Sequence, residues 1–158
     1  MIQGRNGAET VGEDFSNLLV YNDDVMESLA TIILLGSRPS AKAVEELPEL
    51  KKALFDYNIY MLSFLSDEDV EELYRSIKKN GFRATDKKLK EKLFALRDNA
   101  SVFVAIAEKH NSVRAFIDKA RAGEDGLAVL TAEFTGKHCE YPLKLLGPVA
   151  CKKFLSQF

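Results

Sequence analysis

The stretch Ser66-Asp-Glu-Asp-Val-Glu-Glu-Leu-Tyr-Arg-Ser-Ile-Lys-Lys79 decides the fold class. Ser66 with Asp69 three residues on resembles a capping box, in which each side chain satisfies a backbone N–H of the other. Asp67, Glu68, Asp69, Glu71 and Glu72 load the first turns with negative charge, where the helix dipole favours it. The pattern predicts a helix from Asp67 to Lys79, closed by Gly81. Thr85 is placed to cap a second helix, in which Leu89, Leu93, Leu96, Ala100 and Phe103 recur at intervals of four, three, four and three residues. Such a row keeps to one helical face, so this is the expected central helix, reaching about Lys109.

The helical period extends in both directions. From Asp23 onward Val25, Leu29, Ile32, Ile33 and Leu35 share one broad face that stops at Gly36, a residue suited to a C-cap. Ser40 can cap a helix through Leu47, and Pro48 restarts the chain into Glu49 to Phe55. On the other side, Ser112 caps a segment with Val113, Phe116 and Ile117 inward, stopping near Gly123, and Gly147-Pro148 opens a last helix to Phe158. Leu127 to Phe134 is too short for periodicity to separate helix from strand. No set of segments alternates at period two. The expected class is therefore all-α: a compact single-domain helical bundle over residues 18–158, preceded by a loose, Gly-rich polar arm over residues 1–17.

Composition agrees. A chain of 158 residues that is 46% apolar can bury one genuine core. With 22 basic residues against 24 acidic ones, whole-protein charge gives no push toward nucleic acid or anionic membrane, so any polyanion site must be local. The longest apolar run, Leu29 to Leu35, is interrupted by Thr31 and falls far short of the roughly 20 residues of a bilayer span, so no membrane association is expected. Met1 to Ser16 carries glycine, asparagine and acid where a signal peptide has a basic start and an apolar stretch; a cytoplasmic location is expected. Cys139, Cys151, His110 and His138 are scattered and make a poor zinc set, so neither a metal nor another cofactor is expected. Packed or surface thiols in a reducing compartment are the plainer reading.

One local polyanion site is visible. Between Arg75 and Arg97, nine basic residues (Arg75, Lys78, Lys79, Arg83, Lys87, Lys88, Lys90, Lys92, Arg97) stand against two acidic ones (Asp86, Glu91). They straddle the turn at Asn80-Gly81. A hairpin so placed can offer backbone N–H groups and the positive end of its second helix to a phosphate while lysines neutralise neighbouring phosphates. Lys78, Lys79, Asn80, Gly81, Arg83, Thr85, Lys87 and Lys88 are thus candidate contacts to double-stranded DNA, gripping backbone without reading bases. The solvated lysine face of a long helix would have the same composition.

The same region resembles the DNA-3-methyladenine glycosylase I family of the helix-hairpin-helix superfamily. That family has a D-V-E-x-L segment, a hairpin containing a glycine, and a helix of the type K-I-x-A-x-x-x-N-A. This chain has Asp69-Val-Glu-Glu-Leu73, then Asn80-Gly81, then Lys92-Leu-Phe-Ala-Leu-Arg-Asp-Asn-Ala100. Near its end the family has G-F-K-F-V-G-P-T-x-x-Y-x-F-M-Q, and Pro142-Leu-Lys-Leu-Leu-Gly-Pro-Val-Ala-Cys-Lys-Lys-Phe-Leu-Ser-Gln157 has similar spacing. The resemblance covers about four fifths of the chain. It implies a helical base-excision repair domain that binds damaged duplex, flips out an alkylated, cationic base and hydrolyses its N-glycosidic bond.

The departures lie at the implied pocket. Register carried back from Asp69 puts Ile32 at the family's pocket glutamate and Ser40 at its tryptophan. The family's Y-H-D-x-E-W-G stretch is missing, with only Tyr21-Asn-Asp-Asp24 nearby, and its hairpin is lengthened here over Arg83 to Lys90. No zinc site carries over, since neither Cys nor His precedes His110 and the family's last ligands would fall beyond Phe158. An isoleucine cannot replace hydrogen bonds to a base edge, so a rearranged pocket would have to draw on Glu27, Glu45, Glu46, Tyr57 or Tyr60, with Tyr21 a further stacking candidate. Three functions follow as expectations: a glycosylase-like repair protein, a catalytically silent DNA-binding module on the same scaffold, or a helical protein-interaction domain.

Overall fold

The computed structural model describes residues 24–36, 40–80 and 88–158, and every regular element among them is a helix. The expected boundary between arm and domain falls outside these residues. The first helix, α1 (24–35), buries Val25, Met26, Leu29, Ala30, Ile33 and Leu34, so the inward face is turned slightly from the expected one; Ile32 and Leu35 lie at its margin. Gly36 ends it at φ +80, a left-handed conformation that glycine adopts without penalty, and its N–H bonds to the Ile32 carbonyl.

Ser40 caps α2 (Ala41–Glu45) by accepting from the Ala43 N–H. Pro48 sits in the first turn of α3 (Leu47–Ala53), where its missing N–H costs nothing. The chain then does something the sequence did not announce: Phe55, Asp56 and Tyr57 all take left-handed φ, at 58, 56 and 61 degrees, in one tight turn. Asn58 restarts a right-handed helix, α4 (Ile59–Ser63), accepting from the N–H groups of Tyr60 and Met61. Ser66 and Asp69 complete the capping box of α5 (Asp67–Lys79).

The central helix α6 (Leu89–His110) has the expected apolar row, Leu89, Leu93, Leu96, Ala100 and Phe103, wholly buried. Its N-cap is Lys88, with no side-chain capping bond, and not the expected Thr85, because the helix starts only at Leu89; Thr85 itself lies outside the described residues, as does the turn from Gly81 to Lys87 that would complete a helix-hairpin-helix. Asn111 at φ 76 stops α6, and Ser112 caps α7 (Val113–Arg121). The ambiguous segment is helical, α8 (Gly126–Thr135), and the last helix α9 (Pro148–Leu155) ends three residues short of Phe158. Helices α4 and α5 pack on α6, α7 folds back against it, and α8 and α9 extend the stack in order. One apolar core runs from Val25 to Leu155.

Candidate functional site

The basic stretch divides into cations that hold the fold and cations that face solvent. Arg97 spans three groups, donating to the Leu65 carbonyl (3.2 Å), the Asp67 carboxylate (2.7 Å) and the Asp98 carboxylate (3.1 Å). Lys90 pairs with Glu71 at 2.9 Å and lies over the Tyr74 ring, Lys92 reaches the Leu34 carbonyl, and Arg75 pairs with Glu72. Lys78, Lys79 and Asn80 at the end of α5 are exposed, as is Lys88 at the start of α6. Lys78 and Lys79 have no ion-pair partner among the described residues. Gly81, Arg83, Thr85 and Lys87 lie outside those residues.

Two segments singled out by the resemblance meet in space. Asn99 of α6 is fully buried, and its side-chain amide donates to the Lys144 carbonyl (3.1 Å) while accepting from the Lys144 N–H (2.7 Å). The Lys144 ammonium is 2.6 Å from Asp98. Burial alone would raise the Asp98 pKa; hydrogen bonds from Lys144 and Arg97 outweigh it and hold the carboxyl below its ordinary range. This clamp fixes the loop that leads into α9.

Beside α9 opens a cleft of about 440 Å³, lined from α1 by Asp24, Glu27, Ser28, Thr31 and Ile32, by Gly36, and from the carboxyl terminus by Lys153 and Gln157. Ile32 thus faces a cavity. Ser40 is exposed and is not among the lining residues. Glu27 places a carboxylate on the same wall, its Oε1 3.0 Å from Lys51 of α3, with both side chains partly exposed. That hydrogen bond, with the charges of Glu27, Asp56 and Asp24, lifts the Lys51 ammonium above its usual range against the pull of burial.

Tyr21 lies outside the described residues, and the remaining pocket candidates fall elsewhere. Tyr57 is no wall for a base: its ring is buried in the core, and its hydroxyl finds no hydrogen-bond partner among the described residues. Burial, then the charge of Glu27, pushes that hydroxyl well above the ordinary tyrosine range. Tyr60 on α4 packs half-buried against the core, and Glu45 and Glu46 sit on and just after α2, away from the cleft lining.

Among the described residues no three His, Cys, Asp or Glu side chains converge as a metal would require. The His110 ring packs against Phe116 in a tilted arrangement, with ring centroids 4.7 Å apart, and meets the Tyr141 hydroxyl at 3.4 Å. Burial pushes the Cys151 thiol up to about 11, against a hydrogen bond with Thr131, which leaves it protonated and inert at neutral pH.

The sequence reading missed Asp24, Lys153 and Gln157 as cleft residues and Lys144 as the partner of Asn99. Asp24, Ser28, Ile32 and Gly36 recur every four residues, so one helical face carried part of that signal. Lys153 and Gln157 reach the cleft only through the tertiary fold. Comparison with family models, with curated proteins and with solved structures finds no match to this chain.

Proposed function

We propose that the chain is a cytoplasmic base-excision DNA repair protein resembling DNA-3-methyladenine glycosylase I. The exposed lysines at the end of α5 and the start of α6 grip double-stranded DNA by its backbone, and the cleft beside α9 receives a flipped, alkylated base. A cationic base departs as a neutral molecule with the bonding electrons of its N-glycosidic bond, and water adds to the sugar carbon and gives up a proton to solvent, so the reaction needs little acid catalysis. A nearby carboxylate favours both the positive base and the positive charge that develops on the sugar.

The observation that carries this reading is the lining of the cleft. Ile32, which the resemblance places at the pocket carboxylate, shares the cavity with Glu27 and Asp24, so acid is supplied from neighbouring positions on α1. Incubation of the protein with dimethyl-sulfate-treated DNA, followed by chromatography of the released bases, tests it: free methylated purine is expected, and Glu27→Gln is expected to reduce its release. Protein that binds duplex in a salt-dependent way yet releases no base would instead be a silent DNA-binding module. That second reading is favoured by the Lys51 contact already engaging Glu27 Oε1. Absence of DNA binding would overturn both.

A further inference from the structure

We propose that α4 and the start of α5 form a docking surface for a basic, amphipathic segment of another protein, with Met61 and Phe64 as apolar anchors inside a rim of Asp56, Glu68 and Asp69. The surface is independent of the repair reading and involves neither DNA nor the cleft.

Ile59 and Leu62 turn into the core, and the other side of α4 faces solvent. There Met61 is 51% exposed and Phe64, which closes the helix, is 84% exposed. They are three residues apart and share one helical face, so their apolar surfaces adjoin. The backbone that displays them is fixed along its length. Asn58 accepts from the N–H groups of Tyr60 and Met61, and the Phe64 N–H bonds to the Tyr60 carbonyl. Arg97 of α6 donates to the Leu65 carbonyl at 3.2 Å, and Ser66 with Asp69 closes the capping box. Anchors held in place before a partner arrives lower the ordering cost of binding.

Charge selects the occupant. From Ala53 to Tyr74 the chain carries six acidic residues and no basic one. Folding brings a cation to three of them: Arg97 to Asp67, Lys90 to Glu71 and Arg75 to Glu72. Asp56, Glu68 and Asp69 are exposed and have no ion-pair partner among the described residues. The bond from the Ser66 N–H leaves the charge of Asp69 in place. Lys51 and Lys52, just ahead of the segment, pair with Glu27 and Glu49. The α5 dipole returns only about half a positive charge, so the rim stays negative. With five residues, α4 spans about 7.5 Å, which keeps Asp56 ahead of it and Glu68 beyond it close to the anchors. Such a rim repels nucleic acid and anionic bilayers, and a second copy on the same face would set acid against acid. Residues 1–23 carry Arg5 against Glu9, Glu13, Asp14 and Asp23, so the chain's own amino-terminal segment is no match in charge. A segment with lysines or arginines on one face and large apolar side chains on the other satisfies rim and anchors together.

The probe is a short fluorescein-labelled peptide of leucine and lysine with its leucines at helical spacing, and fluorescence anisotropy reads its affinity for the full chain. Wild-type protein is expected to bind it, and the double variant Met61→Ser with Phe64→Ser to bind it about tenfold more weakly. Glu68→Lys is expected to weaken binding and flatten its salt dependence, and it tests the rim without touching an apolar side chain. Val149→Ser removes an exposed apolar side chain elsewhere and should leave affinity unchanged. The proposal is overturned if wild type does not bind the peptide, or binds a version with serine in place of leucine equally well. It is also overturned if affinity survives the double variant and Glu68→Lys, or falls as far with Val149→Ser. Sedimentation equilibrium showing a wild-type dimer that the double variant dissolves would give this face to a second copy and overturn the choice of partner.

Discussion

A β-carbon on Gly126 would stand 2.4 Å from the Ala120 carbonyl oxygen, closer than real β-carbons approach. The obstructing atoms are α7 backbone, so no side chain can swing aside, and α7 and α8 meet as they do because residue 126 has no side chain. Gly126→Ala is expected to force the two helices apart and to lower stability by about 1–3 kcal/mol. Thermal unfolding followed by circular dichroism should show a Tm lower by roughly 2–4 °C per kcal/mol. An unchanged Tm would mean the helices can separate freely.

The clamp between Asn99 and Lys144 makes a second prediction. Asn99→Ala deletes both hydrogen bonds and leaves a cavity in a fully buried position. Stability is expected to fall by about 2–4 kcal/mol, as buried groups left unpaired are costly. The urea midpoint should drop with little change in slope. Asn99→Asp keeps the acceptor for the Lys144 N–H but loses the donor and buries a charge, so it should be no better tolerated.

What the sequence disclosed and what it hid divide along physical lines. The start of α5 was legible because Ser66 and Asp69 encode it locally, through side chains that satisfy their own backbone, while its C-cap is Asn80 and the expected Gly81 lies outside the described residues. The row from Leu89 to Phe103 was legible because one face of a long helix is buried throughout. The segment from Leu127 to Phe134 was undecided because it is apolar on most sides; contact with α7 and α9, not a local signal, makes it helix. The left-handed turn at Phe55, Asp56 and Tyr57 contains no glycine and so carries no local signature; it is held by burying Tyr57 in the core, which only tertiary structure supplies. At the cleft, Ile32 was reached through a resemblance and Glu27 was one of several acids. Lys153 and Gln157, more than a hundred residues away, lie in the carboxyl-terminal segment that carries the resemblance, but nothing local directs them to the cleft.

Asp98 gives a pH prediction with a definite sign. Its carboxyl is held below the ordinary value near 3.8 in the folded chain, burial being outweighed by hydrogen bonds from Lys144 and Arg97. A folded pKa below the unfolded one contributes stability that is full above the ordinary aspartate range and is lost as pH falls through the folded value. Asp98→Asn is therefore expected to be less stable than wild type at neutral pH, with the gap narrowing in acid below about pH 4. Urea midpoints measured across that range check it; a gap constant with pH would assign the loss to packing and not to charge.

The last prediction concerns Ile32. Because it sits at the margin of the α1 core face and lines the cleft, a carboxylate there meets solvent and not apolar interior, so Ile32→Glu is expected to fold with a loss of no more than about 1 kcal/mol. Ser40 is outside the lining, and no companion change there is needed. A carboxylate at 32 would add a charged hydrogen bond to the base edge, worth about 1.5–3 kcal/mol, so release of 3-methyladenine from alkylated DNA should rise by roughly tenfold or more. Glu27 and Asp24 stand on the same wall, and their like charge would raise the pKa of the new acid, making the gain larger at pH 8 than at pH 6. Release measured at both pH values, beside the urea midpoint, separates the outcomes. A stable Ile32→Glu protein with no gain at either pH would show that the cleft on α1 is not where the base is read.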